Sequence, residues 1–201
     1  MTTLVEIYNE LRTPDYELFF TDKYLPYHTY LPWYDEEMKK YKDEKINFLE
    51  IGICWGGSMV LWSKYFTNYN EMHGFDITSH YLDYPGNNNR TTLNADPRNH
   101  LHLGTSSADK SFADATFKDE FFDIIVEDGA HDLDTQYKTF VNYWPKIKKT
   151  GVYFLEDVVG MENLESLQRM IAEHTNNTVN IETYIGNRQR GDDMIIKITH
   201  K

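Results

Sequence analysis

A chain of 201 residues, 40% hydrophobic and 15% aromatic, has material for one compact domain with a sizeable core. A formal net charge of −12 argues against a nucleic-acid or anionic-membrane partner, since both demand a basic face. A cationic cofactor and a divalent metal suit that charge better. The single cysteine, Cys54, excludes an internal disulfide and points to a reducing compartment. Its expected role is a small apolar filler. Met1 to Ile7 has no basic stretch leading into an apolar core, and no apolar run is long enough to span a bilayer, so a soluble, cytoplasmic protein is expected.

In chain order, Leu4, Ile7, Tyr8 and Leu11 recur at helical spacing. The segment from Thr21 to Tyr34 is aromatic and carries Pro26 and Pro32, which predicts no regular helix before Trp33; Glu36 to Lys45 reads as a charged helix end. Residues 1–45 are expected to form a helical and aromatic cap, and residues 46–201 the main domain.

The run Asn47–Ile51 reads as a buried strand, passing through Gly52, Gly56 and Gly57 into a helix that Ser58 opens. The spacing is G-x-x-x-G-G, which is not the dinucleotide fingerprint. Glu50 just before the first glycine disfavours a pyrophosphate and suits a cationic amine or sulfonium. Asp76 ends the next apolar patch, at the distance a ribose-reading acid requires. From Thr78 to Asn99 the chain reads as a long irregular loop, placed to close over an acceptor. Leu101 to Leu103 is a short strand, and Thr105, Ser106 and Ser107 follow it, as adenine contacts or as a cap for a helix near Asp109.

Phe121 to Val126 is the clearest strand, and Leu133, Tyr137, Phe140, Val141 and Trp144 mark a helix whose aromatic stripe is core. Val152 to Leu155 is another strand, a helix is expected over about 162–173, and strands 178–185 and 194–199 flank a turn at Gly186 to Asp193. The fold class is α/β: a Rossmann-like, mostly parallel seven-stranded sheet with an antiparallel edge strand and helices on both faces.

Four apolar strands finish on acid, at Glu50, Asp76, Asp128 and Glu156-Asp157. Ligands of open α/β sheets bind outside those strand ends. Three carboxylates, Asp128, Glu156 and Asp157, suit a hard divalent cation such as Mg²⁺ or Mn²⁺. No Cys/His pair has zinc spacing, and no 2-His-1-carboxylate pattern is visible. His131, three residues after Asp128, is the natural general base, with a pKa near neutrality.

Glu50 with the glycine loop resembles the first motif of the class I S-adenosylmethionine (SAM) methyltransferases. That resemblance implies cofactor contacts from Glu50, Gly52, Ile53, Gly56, Ser58, Asp76 and Ile77. D-G-A-H at Asp128 to His131, then a helix, then G-V-Y-F-L-E-D, is similar to the metal-dependent sugar O-methyltransferases of macrolide and aminocoumarin pathways. The D-K-x(4)-H-x-Y-x(3)-Y pattern from Asp22 to Tyr34 resembles the segment preceding that first motif in the same family, and implies that Lys23 and Tyr30 also serve the cofactor. The resemblance covers about Asp22 to Val158. It implies SAM as methyl donor, metal on Asp128, Glu156 and Asp157, His131 as base with Asp128 beside it, and an acceptor with adjacent hydroxyls: a sugar or glycan, with a catechol as the alternative. A non-catalytic SAM- or glycan-binding module is the further alternative. Ala130 departs from the Ser or Asp of the family, so the chain depends on His131. Similar domains occur fused to glycosyltransferases, which makes such enzymes candidate partners.

Overall fold

The run Asn47–Ile51 forms β1 at the heart of a seven-stranded sheet, in a computed structural model that describes residues 2–12, 20–186 and 191–201. The other strands are β2 (Glu71–Asp76), β3 (Asn99–Leu103), β4 (Phe122–Glu127), β5 (Ile147–Leu155), β6 (Val179–Ile185) and β7 (Met194–His200). Their order is β3-β2-β1-β4-β5-β7-β6, with β7 antiparallel to both neighbours. The reversed strand therefore sits one place in from the edge. All five residues of β1 are buried, as a parallel strand covered on both faces requires.

Helices cover the two faces. Helices α1 (Leu4–Leu11), α2 (Tyr30–Met38) and α3 (Gly57–Tyr65) share one buried cluster with Phe48, Ile124 and Phe154. Helices α5 (Lys110–Thr116), α6 (Leu133–Tyr143) and α7 (Met161–His174) close the other face over Leu49, Phe75, Ile125 and Tyr153. Alternate residues of β1 thus serve opposite cores, as the pleat dictates. The 1–45 segment contributes Leu4, Tyr8, Tyr30, Leu31, Tyr34 and Met38 to the first cluster. Among the described residues no helix is long and apolar enough to cross a membrane.

Three expectations change. Helix α2 begins at Tyr30, before Trp33, because Pro32 lies in its first turn, where a missing N–H costs nothing; it ends at Met38, and Lys39–Tyr41 continues as a 3₁₀ turn. The stretch after Asp76 is not structureless: it holds α4 (Asn89–Asn94), pinned by buried Leu82 and Leu93. Strand β5 starts at Ile147, five residues earlier than its apolar run. The expected turn at Gly186 to Asp193 lies partly outside the described residues.

Candidate active site

The loop after β1 works by close approach. Gly52 has φ +87°, and a Cβ there would lie 2.0 Å from the Asp128 carbonyl oxygen. Its N–H donates to Phe75 O at 2.8 Å, while the Asp128 N–H donates to Ile51 O at 2.8 Å. The carboxyl ends of β2, β1 and β4 are thereby laced together at the point where chain order reverses, the usual ligand crevice of such sheets.

Two cavities open there, of about 430 and 410 Å³, and Gly52, Cys54, Asp128 and Gly129 line both. Asp76, Ile77, Ser106 and Ser107 line the first; Ile53, Ser58 and His131 line the second. Asp76 accepts from the Cys54 N–H at 2.8 Å and the Thr78 N–H at 3.0 Å, which fixes its carboxylate at the mouth of the first cavity. The Ser107 hydroxyl is hydrogen-bonded to Thr139 of α6 at 2.7 Å. Cys54 is exposed rather than a filler, and burial of its surroundings pushes the thiol up to about 11.

Five residues expected at the cofactor line neither cavity: Lys23, Tyr30, Glu50, Gly56 and Thr105. Gly56, φ +80°, precedes α3 and backs onto Leu82. Glu50 is wholly buried behind the loop, where it accepts from the Ser58 hydroxyl at 2.9 Å. Asp109, not Thr105, caps α5, accepting from the Ser111 N–H.

Lys23 takes a different place from the one expected. Its ammonium is fully buried, 2.6 Å from Asp128 Oδ2, 2.9 Å from Glu156 Oε2 and 3.4 Å from Glu50 Oε1. Burial alone would pull its pKa down, but the charges of Asp128, Glu156 and Glu50 outweigh that and keep it protonated. One ammonium balances about one carboxylate. Burial accordingly pushes Glu50 up to about 7 and Glu156 well above the usual range, whereas Lys23 and His131 overcome burial at Asp128 and hold it low.

The expected metal trio is split by this arrangement. Glu156 turns inward, to Lys23 and to the Tyr34 hydroxyl, which donates to Oε1 at 2.6 Å. Asp128 and Asp157 instead converge with His131, their ligand atoms all within 4.8 Å of one another. Asp157 has φ +52°, a left-handed backbone that non-glycine residues adopt at some cost. The Tyr30 hydroxyl donates to Asp157 Oδ1 at 2.6 Å and so positions that acid. Burial and the charge of Asp128 push Asp157 up to about 6.

His131 Nε2 lies 3.3 Å from Asp128 Oδ1, and Nδ1 lies 3.8 Å from Asp157 Oδ2. The hydrogen bond to Asp128 outweighs burial and raises the ring to about 9, not the near-neutral value expected from its type. His28 is buried on the far side of Asp157, with Nε2 3.6 Å from Oδ2 and Nδ1 3.3 Å from Asp193 Oδ1. Tyr34 and His28 had no assigned role in the sequence. The available signal was their place in the same D-K-x(4)-H-x-Y-x(3)-Y pattern that marked Lys23 and Tyr30, all four of which are buried.

The donor set fits a hard cation. Asp128 lines a cavity with buried Asp157 beside it, and Mg²⁺ needs one or two protein carboxylates beside water and substrate oxygens. The first cavity, about 430 Å³ and lined by Asp76, Gly52 and Ser106-Ser107, falls in the size range of small-molecule and cofactor sites.

A mycinamicin VI 2''-O-methyltransferase from Micromonospora griseorubida is 27% identical over 154 residues, 70% of this chain and 34% of its own length. An 8-demethyl-8-alpha-L-rhamnosyl tetracenomycin-C 2'-O-methyltransferase from Streptomyces olivaceus is 25% identical over 138 residues, 65% of this chain and 33% of its own length. The chain therefore spans about a third of these relatives. In fold it is similar to the MycE methyltransferase of the mycinamycin biosynthetic pathway, solved with Mg, SAH and mycinamycin VI, at a TM-score of 0.69 and 20% identity, covering 94% of this chain and 55% of that one. The family model described as a methyltransferase domain matches residues 49–158, more than half of the chain, and the chain belongs to that family.

Proposed function

We propose that this chain transfers a methyl group from SAM to a sugar hydroxyl, with a divalent cation held by Asp128 and Asp157 and with His131 as the base. The observation that carries the reading is the convergence of Asp128, His131 and Asp157, the first two of which line a crevice whose other wall is the glycine loop. What supports the sugar is that one relative is named as a 2'-O-methyltransferase of an alpha-L-rhamnosyl tetracenomycin and the other as a 2''-O-methyltransferase of mycinamicin VI. The reaction that must precede methylation is then a glycosyl transfer.

The cofactors supply an electrophilic methyl group and a positive charge that acidifies an acceptor hydroxyl and relieves the pull of Asp128 and Asp157 on the His131 proton. The chain does the rest. Asp76 and the Ser106-Ser107 turn hold the nucleoside end. Gly52 lets the backbone of β1 and β4 close on the ligand. Asp128 would align the His131 ring to accept the acceptor's proton, while SAM, if bound, would supply the methyl carbon that the acceptor oxygen attacks and the sulfur that keeps the electron pair. Tyr30 and His28 hold Asp157 facing His131, and Lys23 with Tyr34 anchors Glu156 behind it. Alignment is the main source of acceleration.

The test is SAM turnover on a panel of deoxysugar glycosides and catechols with Mg²⁺, against protein treated with EDTA and against Asp157→Asn. Turnover on a rhamnosyl or related glycoside that both treatments abolish is the expected outcome. Full activity after EDTA removes the metal from the reading. SAM binding with no turnover on any acceptor reduces the chain to a binding module, and turnover on catechols alone changes the substrate class.

A further inference from the structure

A second cluster of ligating groups lies on β2 and β3, toward the end of the sheet opposite the crevice. Glu71 and His73 are two residues apart on β2, so their side chains share a face, and His100 is the register partner of His73 on β3. One ligand atom from each of Glu71, His73 and His100 falls within a 4.8 Å group. His73 Nε2 is 3.1 Å from Glu71 Oε2, and the His73 and His100 rings stack with centroids 4.7 Å apart.

His102, two residues beyond His100, completes the arrangement. Its Nε2 is 3.0 Å from His73 Nδ1, and the two rings lie within 8° of parallel. An outer partner on one ring nitrogen leaves the other to face a ligand, as is usual for metal-bound histidine. Phe117, Phe121 and Phe122 meet the His73 ring edge-on and form a dry wall behind it. Glu71 and His100 remain half-exposed, so an ion has a way in. Burial also pushes His73 down to about 4, which keeps the imidazole in its neutral, ligating form.

We propose that Glu71, His73 and His100 bind one transition-metal dication of the zinc type, with His102 orienting His73. Two imidazoles and a carboxylate prefer such an ion over Mg²⁺, which favours oxygen alone. Bond lengths of about 2.0–2.2 Å suit the Glu71–His73 pair as it stands, and rotation of the half-exposed His100 side chain brings in the third ligand atom. The sequence hid the pattern because its ligands come from two strands paired in register, E-x-H and H-x-H, and not from one helix or knuckle. The site is independent of the methyl-transfer reading.

The experiment is calorimetric titration of Zn²⁺ into the Asp157→Asn chain with saturating Mg²⁺, so that the crevice does not contribute. One equivalent is expected to bind. Adding His100→Ala or Glu71→Gln, both half-exposed and expected to fold, weakens binding more than roughly tenfold, and His102→Ala by about tenfold. Should Asp157→Asn not fold, the wild-type chain is titrated with Co²⁺, and the visible band of the low-coordinate ion disappears in His100→Ala. Zn²⁺ binding that is unchanged by His100→Ala and Glu71→Gln, or absent when Asp157 is removed, overturns the assignment.

Discussion

Lys23 Nζ lies 2.6 Å from Asp128 Oδ2, joining two residues 105 positions apart in the chain. The N-terminal segment thus delivers the buried cation around which Glu50, Asp128 and Glu156 gather. Lys23 and Glu156 have almost no access to water, so they attract strongly, and losing one leaves the other uncompensated.

Lys23→Met is therefore expected to destabilise the protein by roughly 3–5 kcal/mol, the cost of orphaning a buried carboxylate. Denaturant unfolding without divalent cations measures it. Mg²⁺ should restore part of the loss, because it binds the folded acids and not the unfolded chain. A loss below about 1 kcal/mol would place the pair among ordinary surface ion pairs.

His131 makes a pH-dependent contribution. Its folded pKa, about 9, stands above the ordinary 6.5, so the stabilisation is fully present below about pH 6.5 and is lost as pH rises through about 9. Imidazole NMR without divalent cations should show one ring titrating near 9, absent in His131→Ala, and Mg²⁺ should move it downward. The same substitution is expected to lower turnover by about 10²–10⁴ while leaving SAM affinity unchanged. A ring that titrates at 6.5 with or without Mg²⁺ would show that it does not sense the acids.

Gly52 combines a positive φ with a carbonyl oxygen in the space of its Cβ, whereas Gly104, φ +85°, has nothing within 4 Å. Comparing the two separates strain from crowding. Gly104→Ala is expected to cost roughly 1–3 kcal/mol, a figure for backbone strain alone. Gly52→Ala should cost more, because the ends of β1 and β4 must part, and SAM affinity should fall with it. Equal losses in thermal unfolding, with SAM binding intact in both, would remove the close approach from the account.

Periodicity and strand-end chemistry were enough to locate β1, β4, α3, α6 and the acids Glu50, Asp76, Asp128, Glu156 and Asp157, since a parallel sheet buries its strands and leaves their carboxyl ends to ligands. Local pattern also marked Gly52, because a tight strand-to-loop turn needs a positive φ. What those side chains face was settled by long-range packing. Lys23 and Tyr30 carried no mark that set them against Asp128 and Asp157; α2 had to fold onto the sheet first. Glu156 turned away from Asp157 because a buried ammonium and a tyrosine hydroxyl lay on the inner side. The Glu71, His73 and His100 cluster arises only from the register of β2 with β3. A sequence states which groups can ligate or ionise, but distance and burial set their charge, and both come from the tertiary fold.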